Sequence, residues 1–223
     1  MDSFNSALTS LQRELLEMLK EGPLFYFSGG AALSGCYLGH RRSLDIDLFV
    51  NEASEVEAIA AHLRQVTAEQ GWTIEEVRRY PGFSRYQIWN GPDSTLVDLV
   101  HETAVQVVPL SEKPECEGVR VDSIGDLVAN KLCTLLGRSE VKDLVDLYFL
   151  AETGIDVLAH LPAALLKDGG MDPATLAFVI QQMPTDPAGL LLLRPLEAAT
   201  LSEFRDRLVT QLVEFSWPRG DVP

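Results

Sequence analysis

Phe27-Ser28-Gly29-Gly30-Ala31-Ala32-Leu33 and, beyond a short basic loop, Leu44-Asp45-Ile46-Asp47-Leu48-Phe49-Val50 are the two stretches from which the chain is best read. The first is a short apolar strand (Leu24–Phe27) that turns through a glycine pair into a helix running to about Leu38. The second alternates acidic and apolar residues. Successive strand side chains point to opposite faces, so Asp45 and Asp47 project one way while Ile46 and Leu48 project the other. Two ionised carboxylates side by side on an apolar strand repel, and burial adds a desolvation cost. A divalent cation between them resolves that conflict. A strand ending at the solvent edge is the plainer alternative. A third carboxylate, Asp98, stands in Ser94-Thr95-Leu96-Val97-Asp98-Leu99-Val100, read as a neighbouring strand; a lone Asp also fits an edge strand.

The glycine pair gains meaning from that acidic strand. At a helix start the backbone N–H groups lack partners and the dipole is positive, which favours an anion. Glycine lets phosphate oxygens approach the backbone, and Ser28 offers a hydroxyl donor. Taken alone, Gly29-Gly30 also fits an ordinary tight turn. In the loop His40-Arg41-Arg42-Ser43, Arg42 is placed to neutralise triphosphate charge and Ser43 to hydrogen-bond a phosphate oxygen. Arg41 fits a solvated basic turn equally well, and His40 reads as ordinary surface.

Apolar spacing predicts an opening helix over 3–21, capped by Ser3, with Phe4, Leu8, Leu11, Leu15 and Leu19 on its buried face. A helix over 52–70 follows the acidic strand. Strands are expected at Thr73–Tyr80, Phe83–Asn90 and Thr95–His101, with a further one at Ala104–Val108. Pro109–Gly118 reads as a polar boundary, and from Ser123 the pattern is almost wholly helical. The chain is therefore α/β in class, a mixed sheet flanked by helices over 1–120, followed by a helical region over 121–223.

Within that second region Lys131 falls in the middle of an apolar stripe containing Leu127 and Leu135. A lysine in a core needs an anionic partner, and a triphosphate is one; a snorkelling amine is the alternative. In Lys142-Asp143-Leu144-Val145-Asp146, the two acids share a face, which a solvated helix surface also explains, and Lys142 is spaced to pair with Asp146.

Bulk properties narrow the function. The 223 residues carry 18 basic and 33 acidic side chains, a net charge of −15. Generic nucleic-acid binders need lysine and arginine to displace counterions, so such a role is disfavoured, while a local basic patch for RNA remains compatible. No apolar run approaches the roughly 20 residues of a membrane span, and Met1-Asp2-Ser3-Phe4 has no basic-then-apolar secretion signal. Cys36, Cys116 and Cys133 match no zinc spacing and read as reduced thiols of a cytoplasmic protein.

The glycine motif, the segment Leu38-Gly39-His40-Arg41-Arg42-Ser43-Leu44-Asp45-Ile46-Asp47-Leu48-Phe49, the segment Asp126-Leu127-Val128-Ala129-Asn130-Lys131-Leu132, and Arg138 followed by Lys142-Asp143-Leu144-Val145-Asp146-Leu147 together resemble the nucleotidyltransferase AbiEii/AbiGii-type toxin family, over roughly 24–150. The resemblance implies a DNA polymerase β-like nucleotidyltransferase fold and a magnesium-dependent enzyme using a nucleoside triphosphate. It implies a toxin-type role, since members include toxins of bacterial toxin–antitoxin and phage-defence systems, with a tRNA acceptor for some members and a cognate antitoxin as a candidate partner. By position it assigns phosphate binding to Ser28, Gly29 and Gly30, metal binding to Asp45 and Asp47, nucleotide contact to Lys131 and the late acidic position to Asp146. Asp98 matches the superfamily's third acid by strand context.

The expected chemistry is attack by an acceptor hydroxyl, deprotonated by Asp98, on the α-phosphorus of a triphosphate, with pyrophosphate leaving. Asp45, Asp47 and Asp98 would hold two magnesium ions about 4 Å apart. Rival readings are a same-fold enzyme that labels a small hydroxylated antibiotic, a catalytically idle nucleotide- or partner-binding module, and an acidic structural protein.

Overall fold

The computed structural model describes residues 6–216. Ser3 and Phe4, and the tail from Trp217, lie outside the described residues. The chain divides into two compact units, one ending at Leu127 and the next starting at Val128.

In the first unit, α1 spans Ser10–Leu19, later than apolar spacing alone predicts. Its start is fixed by a reciprocal cap: Gln12 N–H donates to Thr9 Oγ1 (3.2 Å) and Thr9 N–H to Gln12 Oε1 (3.0 Å). Then follow β1 (Tyr26–Ser28), α2 (Gly29–Ala32) continuing into a π-helical turn to Leu38, β2 (Asp45–Val50), α3 (Ala53–Glu69), β3 (Thr73–Tyr80), β4 (Phe83–Asn90) and β5 (Asp93–His101). The strands form one mixed sheet in the order β1-β2-β5-β4-β3, with β2 and β5 parallel and the other pairs antiparallel.

Alternation decides what each face of that sheet does. Ile46, Leu48, Tyr86, Ile88, Val97 and Leu99 share a core cluster with Val56, Ile59, Ala60 and Leu63 of α3. Each Val, Leu or Ile of that set gains about 1.5–3 kcal/mol on full burial, so a one-residue slip of a strand would forfeit its whole share. The same register that buries Ile46 and Leu48 turns Asp45 and Asp47 to the other face.

Residues 104–108 form no strand. The Val107 and Val108 N–H groups donate instead to the Asp126 carboxylate (2.7 and 3.1 Å), which takes the bonds a ladder would need. Pro109–Gly118 is also more ordered than a linker. It holds a 3₁₀ turn (Leu110–Glu112) and the first strand of a small hairpin, β6 (Glu115–Cys116) with β7 (Val119–Arg120). His40, read as surface, is fully buried.

The division between units falls inside α4 (Ile124–Arg138). The second unit continues with α5 (Val141–Glu152), a 3₁₀ turn (Val157–His160), α6 (Leu161–Lys167), α7 (Pro173–Gln181) and α8 (Ala198–Ser216). Asp172 caps α7 by accepting from the N–H groups of Ala174 and Thr175, and Pro173 occupies a first-turn position where its missing N–H costs nothing. α8 buries Leu201, Phe204, Leu208 and Leu212, with Phe204 edge-on to Tyr148 of α5 at 5.6 Å. Among the described residues no single helix is long and apolar enough to cross a membrane.

Candidate active site

The ladder registers place the acids. Ser28 pairs with Asp47 across β1 and β2, Asp47 with Asp98 across β2 and β5, and Asp98 with Arg85 across β5 and β4. Residues in register project from the same face, so Ser28, Asp47, Asp98 and Arg85 form one row over four adjacent strands. Asp45 lies two residues along β2 on the same face. Asp45 opens β2 and Asp47 lies two residues in, both half-buried, on a strand flanked by β1 and β5.

The glycine turn is pressed against the row. Gly29 has a φ of +71°, and a Cβ there would lie 1.9 Å from Asp47 Oδ2. A Cβ on Gly30 would lie 2.5 Å from Arg41 Nη2 and 3.4 Å from Ser43 Oγ. Glycine is thus required twice, by the left-handed backbone and by the closeness of the neighbours. Arg41 is buried beside the turn, whereas Arg42, the residue expected to face a triphosphate, is exposed.

The loop entering β2 is fixed from below. Gln12 Nε2 donates to Ser43 O (3.0 Å) and to Thr95 Oγ1 (3.2 Å), and Thr95 Oγ1 donates to Leu44 O (3.0 Å). Ser43 Oγ then donates to Asp45 Oδ1 at 2.9 Å. Asp98 is gripped by Arg85, whose Nε and Nη2 reach its two oxygens at 2.6 and 2.5 Å. That pair raises the Arg85 guanidinium further above its ordinary range, and the charges of Asp45 and Asp47 add to the effect.

Ser28 faces inward: its hydroxyl donates to Asp122 at 2.7 Å and is 1% exposed. Asp122 also holds the turn's flanks through its backbone, donating to Phe27 O (2.9 Å) and accepting from Tyr37 Oη (2.7 Å). Lys113 bridges Asp122 (2.7 Å) and Asp126 (3.3 Å) and lies 4.4 Å from the Tyr26 ring centroid. Burial pushes the Asp122 carboxyl up despite Lys113. Burial acts on Asp126 too, but the N–H bonds of Val107 and Val108 and the Lys113 charge outweigh it, and that carboxyl stays below its ordinary value.

In the second unit Lys131 finds carboxylates. Its Nζ lies 2.7 Å from Asp143 Oδ1 and 2.6 Å from Asp146 Oδ2, both acids fully buried. Arg138 adds a fork to Asp143, Nε and Nη2 each at 2.9 Å. Burial pushes the Asp143 carboxyl up, yet Lys131 and Arg138 more than offset it and hold it below the ordinary value. The acidic face of α5 is therefore interior. Lys142, spaced to meet Asp146, pairs with Glu140 at 2.8 Å.

Four residues of these arrangements escaped sequence reasoning. Lys113 sits in Ser111-Glu112-Lys113-Pro114-Glu115, which looks like linker. Asp122 has no neighbour that marks it, and Gln12 looks like a polar break in an apolar stripe. Arg85 was accessible: alternation in Phe83-Ser84-Arg85-Tyr86 puts it opposite the buried Tyr86.

Among the described residues no three His, Cys, Asp or Glu side chains gather around one point. Asp45 and Asp47 nonetheless offer hard oxygens on one face beside an anion-suited turn. That donor set fits Mg²⁺, which binds through one or two carboxylates together with phosphate oxygens and water.

The family model described as nucleotidyl transferase AbiEii toxin, Type IV TA system, matches residues 11–217. MenT4, a nucleotidyltransferase toxin from Mycobacterium tuberculosis H37Rv, is similar in fold, with a TM-score of 0.57 at 15% identity over 92% of this chain and 82% of that one. JHP933 from Helicobacter pylori superposes with a TM-score of 0.55 at 21% identity, over 92% of each chain. No curated protein matches the chain.

Proposed function

The chain belongs to the AbiEii nucleotidyl transferase toxin family, and from that premise we propose that it transfers a nucleoside monophosphate from a nucleoside triphosphate to a hydroxyl of an RNA acceptor, a tRNA in the first instance. The observation that carries this is the coincidence of the glycine turn with the acid pair: Gly29 lies against the Asp47 carboxylate, in register with Asp98.

Asp45 and Asp47 would hold Mg²⁺, with Asp98 the third acid of the row. The bound metal supplies charge stabilisation at the phosphates and at the attacking and leaving oxygens. The turn of Gly29 and Gly30 seats the triphosphate on backbone N–H groups, and Arg41, with Arg42 at the rim, offsets its charge. Ser43 orients Asp45. Ser28 acts as the inner anchor of the turn, its proton committed to Asp122. Lys131, Asp143 and Asp146 make a second charged cluster, in which the Lys131 amine is held by the two carboxylates of its own unit. Arg85 sets the Asp98 carboxylate in the plane from which it accepts the proton of the attacking hydroxyl. Catalysis is then mainly positioning and electrostatics. The reading places the enzyme in the cytoplasm, where triphosphates and RNA meet, and under the control of a cognate antitoxin.

The test is label transfer. The protein is incubated with each α-labelled triphosphate, magnesium and total bacterial RNA, beside Asp47→Asn. Label in a tRNA-sized band that the variant cannot produce supports the reading and names the nucleotide. Label in a hydroxylated antibiotic but not in RNA would replace the acceptor. Nucleotide binding with no transfer at all would leave an idle module.

A further inference from the structure

The carboxylate row continues beyond Arg85. Arg78 pairs with Arg85 across β3 and β4, and Tyr80 pairs with Phe83. Both pairs therefore project from the face that carries Asp98. Arg78 is exposed, and its guanidinium carbon lies 5.9 Å from the Tyr80 ring centroid. Arg85 lies 6.0 Å from that of Phe83. The two rings stand 6.3 Å apart with 28° between their planes. Tyr80 is 57% exposed. Among the described residues Arg78 makes no ion pair. Its neighbour Arg79 projects from the opposite face and is paired with Glu57 and Glu76.

In a chain of net charge −15, Arg78 carries no ion pair among the described residues, and it stands with two aromatic rings on one sheet face beside Arg85, which Asp98 holds, in a strip continuous with the acids of the row. From this we infer that Arg78, Tyr80 and Phe83, with Arg85 at the inner edge, form the acceptor platform, and that its occupant is the single-stranded 3′ end of an RNA. Exposed rings offer stacking surfaces to unpaired bases, guanidinium groups pair with phosphates, and this combination recognises single strands irrespective of sequence. The direction follows from continuity: a strand stacked on Tyr80 and Phe83 runs along the row through Arg85 to Asp98, where its terminal hydroxyl would meet the proton acceptor. The inference rests on the nucleotidyl-transfer reading above and names where its acceptor lies.

The experiment measures binding of a fluorescein-labelled single-stranded RNA of about a dozen nucleotides, with a free 3′ hydroxyl, by anisotropy across a salt series. The same strand annealed into a blunt duplex is the comparison. Tyr80→Ala is expected to weaken binding about tenfold, the scale of one lost stacking contact. Arg78→Ala is expected to weaken it and to flatten the salt slope by about 0.7, one single-strand phosphate contact. Arg79→Ala, one residue away with the same charge on the other face, is the control and should bind as the unaltered chain does. Thermal melts establish that all three variants fold. Equal losses in Arg78→Ala and Arg79→Ala, equal affinity for strand and duplex, or no RNA binding by the unaltered chain would each overturn the platform. Label transfer run alongside separates the two readings. Transfer to RNA with unaltered affinity in Arg78→Ala and Tyr80→Ala defeats the platform alone. Binding lost in those variants without transfer by any form defeats the proposed reaction and leaves the platform standing.

Discussion

Replacing Gly29 by alanine tests the centre of the site, and its two consequences have different sizes. The backbone there has a φ of +71°, which costs an L-residue about 1–2 kcal/mol. For a chain of this length that is a fall in melting temperature of about 2–8 °C. The added Cβ would also stand 1.9 Å from Asp47 Oδ2, where contacts under 3.0 Å force a shift. The turn and the carboxylate must therefore separate by about 1 Å, a misplacement that costs catalysis about a hundredfold. Thermal melts and steady-state nucleotidyl transfer on the same preparation read the two effects. Gly29→Ala should show a modest loss of stability beside a large loss of kcat. Retention of full kcat with the expected drop in melting temperature would show that the closeness of Gly29 to Asp47 has no part in turnover.

Further outcomes concern the second unit. Lys131→Met leaves two fully buried carboxylates without their shared cation and should cost about 3–5 kcal/mol in urea denaturation, whereas Lys142→Met, at a more exposed position, should stay within about 0.5 kcal/mol; equal effects would contradict the cluster. The Asp143 carboxyl lies below its ordinary value in the folded chain, so its contribution is complete above about pH 4 and is lost as pH falls towards and through the folded value. Melting curves of Asp143→Asn should accordingly be lower near neutrality and less sensitive to acid than those of the unaltered chain.

The sheet was legible because its code is local. β3 and β4 take the bounds that turn residues and alternation predict, and the opposite faces of Ile46 and Asp47 follow from period two alone. What stayed hidden depends on distant partners. Residues 104–108 have strand composition, but their N–H groups go to Asp126, which no local pattern can announce. Arg41 and Arg42 are adjacent and chemically identical, and only the direction of the loop past Gly30 tells them apart. Lys113 looks solvated because its sequence neighbours are polar, while its spatial neighbours are two buried acids and a tyrosine ring. The apolar stripe around Lys131 calls for an anion, and the structure gives it two within its own unit.

The Ser28–Asp122 hydrogen bond joins residues 94 positions apart. Closing a loop of that span costs more chain entropy than forming a helical turn or a hairpin, and the span includes the parallel pairing of β2 with β5. During synthesis the glycine turn emerges long before the residue that anchors it. A nascent chain ending short of Asp122 carries Gly29, Gly30, Asp45, Asp47 and Asp98 without the carboxylate that holds the Ser28 hydroxyl beside the glycine turn.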